Sequence, residues 1–257
     1  MITLGADPEF FIESQGRIVS SLDYMADGTK ERPVSLGREG YMYQHDNIMG
    51  EYNVPATTNT GSFMDSITTG LSLCSELLRK RSDGTATIST LSEVMAPEAL
   101  LQDARTREFG CSPEFNAYGF EDSDAPAPPI DMRVLERDGG QMRFAGGHVH
   151  LGGDFKCPPH VVALLCDFFV GLRTLSMDSQ PNRRHLYGKA GRYRPTPYGI
   201  EYRTLSNFWI HDENAAAEVA YGATTAATMA QGNVANLRTF FSVCPWKSVQ
   251  TAINHED

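Results

Sequence analysis

The chain opens on an alternation. Ile2, Leu4, Ala6, Phe10 and Ile12 fall on even positions, with Asp7 and Glu9 on odd ones between them. Successive side chains of a strand point to opposite faces, so this spacing predicts one strand with a core face and a face bearing both carboxylates, roughly 7 Å apart. The same parity returns in three further places. His148 and His150 flank Val149, Glu201 and Arg203 flank Tyr202, and Asp46 precedes Glu51 and Asn53, which alternate around Tyr52. Together the four pairs predict the polar, concave side of one sheet.

Elsewhere the period is helical. Phe63, Ile67, Leu71, Cys74 and Leu78 predict a helix from Gly61 or Ser62 to about Arg81, closed by Arg79, Lys80 and Arg81. A strand over Thr85–Met95 and a short helix from Pro97 to about Arg107 follow. The acidic, Ala/Pro-rich stretch Glu121–Ile130 reads as an exposed loop. Pro158 and Pro159 open a helix to about Met177, with Val161, Leu164, Leu165, Phe168, Phe169 and Leu172 on its buried side. Asp212 caps a long helix through about Met229, ended by Gly232. The expected architecture is α+β: one domain over residues 1–257, with an antiparallel or mixed sheet backed by helices on one face.

Net charge narrows the partners. With 32 acidic and 22 basic residues the chain carries −10, which argues against non-specific binding to nucleic acid or an anionic membrane. The five cysteines show no CxxC spacing and are expected as free thiols of a reducing compartment. No basic region followed by a long apolar stretch stands at the N-terminus. The longest apolar run, Val161 to Leu172, is interrupted by Asp167 and too short for a bilayer. The expectation is a soluble, cytoplasmic protein, or one of the host cytoplasm if phage-encoded.

The polar faces suggest chemistry. Two neighbouring carboxylates repel unless a cation lies between them, and a buried polar face costs several kcal/mol unless it is paired or metal-bound. Oxygen-rich sites of this kind suit magnesium or manganese. Arg183, Arg184, Lys189, Arg192, Arg194 and Arg203 crowd one glycine-containing stretch, and arginine forks match phosphate and carboxylate. Acids that hold metal beside such a stretch fit phosphoryl transfer. The chain has no GxxxxGK[ST] loop, no GxGxxG after a strand and no GxSxG elbow.

These motifs resemble the glutamine synthetase-like carboxylate–amine ligases, the amidoligase superfamily, and within it the phage and bacterial type-2 COOH–NH2 ligases. Gly5-Ala6-Asp7-Pro8-Glu9-Phe10-Phe11 is similar to that fold's GPEPEFF strand, His148-Val149-His150 to its HxH strand, and Gly199-Ile200-Glu201-Tyr202-Arg203 to its RxExR strand. Gly199 stands where the first arginine would be, so Arg192 or Arg194 would substitute for it. The resemblance implies a curved sheet with helices outside and the active site on the concave face. It implies Asp7, Glu9, Asp46, Glu51, His148 and Glu201 as ligands for two or more magnesium or manganese ions. His150, Arg183, Arg184, Lys189 and Arg192 would face ATP, Arg203 and Arg194 the reacting groups, and Asn53 and Glu114 the substrate, with Glu51 or Glu114 as proton acceptor.

The implied reaction is ATP-dependent amide formation through an acyl phosphate, joining a small-molecule or peptide carboxylate to an amine. Nucleic acid would enter only as a modified-base substrate. A homo-oligomer is compatible with the resemblance. Three other readings stay open at this point: a guanidino-kinase-like phosphotransferase, a metal-dependent hydrolase and a non-catalytic nucleotide-binding protein.

Overall fold

The structure, a computed structural model, describes residues 1–107, 115–119, 141–185 and 187–255. Its described strands are β1 (Thr3–Ala6), β2 (Glu9–Phe10), β3 (Ile12–Ser14), β4 (Arg17–Val19), β5 (Val34–Ser35), β6 (Met42–Asp46), β7 (Met49–Asn53), β8 (Ala86–Ile88), β9 (Glu93–Met95), β10 (Phe115–Asn116), β11 (Met142–Phe144), β12 (Val149–Gly152), β13 (Arg192–Thr196) and β14 (Gly199–Tyr202). The described α-helices are α1 (Leu22–Met25), α2 (Thr60–Arg81), α3 (Pro159–Cys166), α4 (Glu213–Gln231), α5 (Val234–Val243) and α6 (Trp246–His255). All strand pairings described are antiparallel, and the architecture is α+β.

The expected opening strand is divided among three sheets, as β1, β2 and, from Ile12, β3, which pairs with β4 and β8. Proline at position 8 has no N–H for a ladder and restricts the residue before it, so pairing breaks at Asp7-Pro8. β1 joins a five-stranded sheet in the order β1-β12-β14-β13-β10, and β2 a four-stranded sheet in the order β2-β7-β6-β5. The polar pairs therefore do not share a single sheet, as their parity had suggested. The parity itself holds within each sheet: Leu4, Ala6, Phe10 and Ile12 are all in the main core, with Ile2 packed at its edge.

Helices cover the apolar side. Helix α2 begins at Asn59, whose side chain accepts a hydrogen bond from Ser62 N, and packs against β1 and β7. Helix α4 is capped by Asp212 through Ala215 N and lies on β1 and β12; its buried Ala216, Ala220, Ala223 and Ala227 let α2 and α3 approach closely. Helix α3 backs β13 and β14.

Other expectations divide where a tertiary contact interrupts the local pattern. Thr85–Met95 is two short strands, β8 on β3 and β9 on β11, and Pro97–Arg107 is two 3₁₀ turns. The helix after Pro158 is α-helical only to Cys166. A π turn over Asp167–Gly171 follows, in which fully buried Asp167 accepts a hydrogen bond from Tyr202 Oη at 2.7 Å. A buried carboxyl needs such a partner, and widening the helix by one residue is how it is accommodated. Its pKa is pushed up to about 7 by burial, against the bond from Tyr202. Cys74, Cys157, Cys166 and Cys244 are free thiols. Among the described residues no helix is long and apolar enough to cross a membrane. Cys111, Glu114 and the Glu121–Ile130 segment lie outside the described residues.

Candidate active site

Ladder register aligns the polar side chains of the five-stranded sheet. Gly5, His150, Glu201 and Arg194 are successive partners across β1, β12, β14 and β13. Two residues along on the same face, Asp7, His148 and Arg203 lie just past the ends of their strands beside Arg192, the first residue of β13, and Arg203 N bonds Arg192 O at 3.0 Å. Val149, Leu151, Ile200, Tyr202 and Tyr193 take the other face and are buried in the core.

This row makes the first cluster. Asp7, His148 and Glu201 bring one ligand atom each to within 4.8 Å of one another. His148 Nδ1 faces Asp7 Oδ1 at 3.5 Å and Glu201 Oε1 at 3.4 Å. Its Nε2 lies 3.2 Å from Arg183 Nη2, and a guanidinium only donates, so Nε2 accepts and the ring proton sits on Nδ1. Burial and the charge of Arg203 lower the His148 pKa to about 4, leaving the ring neutral. His150 Nε2 approaches Asp7 Oδ1 at 3.1 Å without hydrogen-bond alignment. Burial opposes the charge of both groups. Their attraction outweighs it, so the Asp7 pKa falls and the His150 pKa rises. Glu201 is held by both neighbouring arginines, by Arg194 Nη1 at 2.9 Å and by Arg203.

The second cluster is all carboxylate. Glu9, Asp46 and Glu51 also fit within 4.8 Å, although they are only 4%, 8% and 6% exposed. They come from three strands of the four-stranded sheet: Glu9 pairs with Glu51 across β2 and β7, and Asp46 ends β6 at the tight turn Asn47-Ile48. Phe10, Tyr43 and Tyr52 occupy the opposite face, in the core. Gly146 grips Glu9 twice, its N–H donating to Glu9 Oε2 at 2.6 Å and its carbonyl accepting from Glu9 N at 2.8 Å. Asn207 Nδ2 donates to Glu9 O at 2.9 Å. Burial and the charge of Asp46 push the Glu9 pKa up to about 7. Burial and the charges of Asp7, Asp46 and Glu9 raise that of Glu51 well above the carboxylate range. Glu51 thus feels both clusters, which adjoin through Asp7 and Glu9, two residues apart.

The remaining sequence-derived residues divide. Arg183 and Arg203 enter the first cluster directly, Arg192 is buried on the same row, and Arg194 reaches Glu201 from a half-exposed position. Arg184 does not join them: its guanidinium is committed to buried Asp178 at 3.3 Å and to Leu175 O at 3.1 Å, because the 3₁₀ turn over Pro181–His185 sends adjacent residues in different directions. Lys189 is exposed, and Asn53 is half-buried at the end of β7. The structure adds residues that parity could not single out. Gly146 and Asn207 clamp Glu9, and Tyr198 hydrogen-bonds His150 Nδ1 at 2.6 Å.

Two carboxylate-rich clusters beside converging arginines, on an α+β scaffold, define the site. Residues 137–245 match the family model "Phage phiEco32-like COOH.NH2 ligase-type 2", so this stretch of the chain is similar to that family. The matched stretch carries His148, His150, Arg183, Arg192, Arg194, Glu201 and Arg203, whereas Asp7, Glu9, Asp46 and Glu51 precede it. No curated protein matches the chain.

Proposed function

We propose that the protein is an ATP-dependent carboxylate–amine ligase, working through an acyl phosphate on a glutamine synthetase-like fold. The observation that carries this reading is the pair of adjoining clusters, Asp7/His148/Glu201 and Glu9/Asp46/Glu51, beside four arginines. The second cluster tests whether a cation fits: three buried carboxylates bring their oxygens within 4.8 Å of one another, and burial beside like charge raises the proton affinity of Glu9 and Glu51, an arrangement a hard cation would relieve. These six residues would hold two or more magnesium or manganese ions. When bound, the ions would neutralise the nucleotide phosphates and draw charge from the transferred phosphoryl group.

The protein's own groups account for the rest. The substrate carboxylate attacks the γ-phosphorus of ATP, the bond to the bridging oxygen breaks, and ADP leaves with that electron pair. Arg203 and Arg194 sit beside Glu201, where they can hold carboxylate and phosphate oxygens in their planar forks. A neutral amine then attacks the acyl carbon and phosphate departs. The proton the amine sheds goes to Glu51 in its ionised form, whose basicity burial and the charge of Asp7 raise. His150, Arg183 and Arg192 face the nucleotide phosphates.

The test is phosphate release from ATP, scanned over panels of carboxylates and amines and read by mass. The expected product is lighter than its two parts by one water, and release should depend on both parts. A phosphorylated amine as product, or turnover without ATP, would reject the reading.

A further inference from the structure

Two aromatic side chains among the large, mostly apolar ones are left exposed in the described structure, Tyr198 at 49% and Tyr221 at 59%. Tyr221 lies along α4 beneath the Arg173 guanidinium, 5.2 Å from its ring centroid. Tyr198 has a different setting. It sits on the turn between β13 and β14, beside the polar face that carries His150, Glu201 and Arg194. Gly153 N donates to its carbonyl at 2.9 Å, its hydroxyl meets His150 Nδ1 at 2.6 Å, and its ring runs within 18° of parallel to the imidazole, with centroids 6.0 Å apart. A large aromatic surface is thus fixed in place, at little further entropic cost to a ligand, and left half open to solvent.

What lies beside it identifies the ligand class. Arg194 is partly exposed, and its Nε is buried without a hydrogen-bond partner. His150 lies in the same row, one strand beyond Glu201. Two basic side chains, His150 and Arg194, flank Glu201 in a row that ends at a rigid, half-open ring, and such a row matches a molecule with a polyanionic chain at one end and a planar group at the other. We propose that Tyr198 is the stacking platform for the base of the nucleoside triphosphate, with the phosphates running inward over His150 and Arg194. This rests on the proposed use of ATP and adds the residue that would select a nucleotide over a bare polyphosphate.

Calorimetric titration in magnesium buffer tests it, with ATP and inorganic tripolyphosphate as probes and wild type, Y198F, Y198L and Y198A as proteins. Wild type should bind ATP more tightly than tripolyphosphate. Y198A and Y198L should weaken ATP by on the order of 10-fold, the usual effect of losing one base–aromatic stack, with tripolyphosphate unchanged. Y198F keeps the ring and should keep most of the ATP affinity. Equal weakening of both probes would show that Tyr198 acts only by orienting His150, and would overturn the platform. Unchanged ATP affinity in Y198A would do the same while leaving nucleotide use intact. If wild type binds neither probe, the nucleotide reading itself fails and the platform with it.

Discussion

Alanine at position 146 adds one methyl group at the point where both clusters are braced. A Cβ built on Gly146 falls 2.4 Å from His148 Nε2, 3.0 Å from its Cε1 and 3.1 Å from Arg183 Nη2. Relief to ordinary contact moves the imidazole nitrogen by about 1 Å. The ring is rigid, so Nδ1, which faces Asp7 and Glu201, moves with it. Gly146 is not among the residues with positive φ, so backbone strain does not contribute and the effect is the Cβ alone. Overpacking of this kind costs about 1–3 kcal/mol. For a chain of this size that lowers Tm by roughly 2–4 °C per kcal/mol. Loss of the Arg183–His148 contact should weaken divalent-cation binding about 10- to 100-fold, the range for disturbed ligand-orienting contacts. Thermal melts of G146A under a manganese titration measure both numbers. G61A serves as control, because its Cβ meets only Asn59 Oδ1 at 3.6 Å. Wild-type manganese response in a folded G146A would refute the reasoning, since His148 would then tolerate displacement without consequence.

The other predictions address charge. Glu9 and Glu51 have folded-state pKa values raised above their unfolded ones, so the stability they contribute is full below about pH 4.5 and is lost as pH rises through their folded-state values, about 7 for Glu9. Without divalent cation, Tm should fall between pH 5 and 7.5, and magnesium should restore more of it at pH 7.5 than at pH 5; a flat metal-free profile would contradict the raised values. E9Q keeps the shape of Glu9 and removes one charge, so chemical denaturation at pH 7.5 without metal should find it at least as stable as wild type, with a blunted cation response. Marked destabilisation would make Glu9 a structural partner of Arg183 or Arg203. R203K replaces a planar fork with a point charge, so steady-state kinetics should show turnover lower by roughly 100-fold with nucleotide affinity much less changed. Lost affinity with turnover kept at saturating ATP would make Arg203 a ground-state anchor.

Much of the site was legible because strand parity is a local property. It placed Glu201 and Arg203 on one face of their strand, His148 and His150 on one face of theirs, and Leu4, Ala6, Phe10 and Ile12 inside. Caps at Asp212 and Gly232 located α4 for the same reason. What escaped depends on partners distant in sequence. The alternation from Ile2 to Ile12 continues straight through Pro8, and only the pairing of Asp7's neighbours with β12 and of Glu9 with β7 reveals that the acids belong to different clusters. Arginine density marked the stretch 183–203 without distinguishing Arg183, which meets His148, from Arg184, which meets Asp178. Helices α5 and α6 were not anticipated. Tyr198 and Gly146 carry no periodic signal, and their roles rest on single tertiary contacts.

The two clusters differ in how much chain each requires. Glu9, Asp46 and Glu51 all lie within the first 53 residues, on a hairpin and the strand that pairs with it. Asp7 must wait for His148 and Glu201, and the arginines that temper Glu9, Arg183 and Arg203, come equally late. During synthesis, with the N-terminal part made first, the acid hairpin can form while no arginine of the site yet exists. Its three carboxylates would then repel one another, and only the apolar packing of Phe10, Tyr43 and Tyr52 beneath them, or a proton, or a cation from solution, would favour closure. The order in which the polypeptide is made therefore sets its most repulsive element before its countercharges. Refolding of the intact chain, where every arginine is present from the start, should depend less on divalent cation than folding of the nascent one.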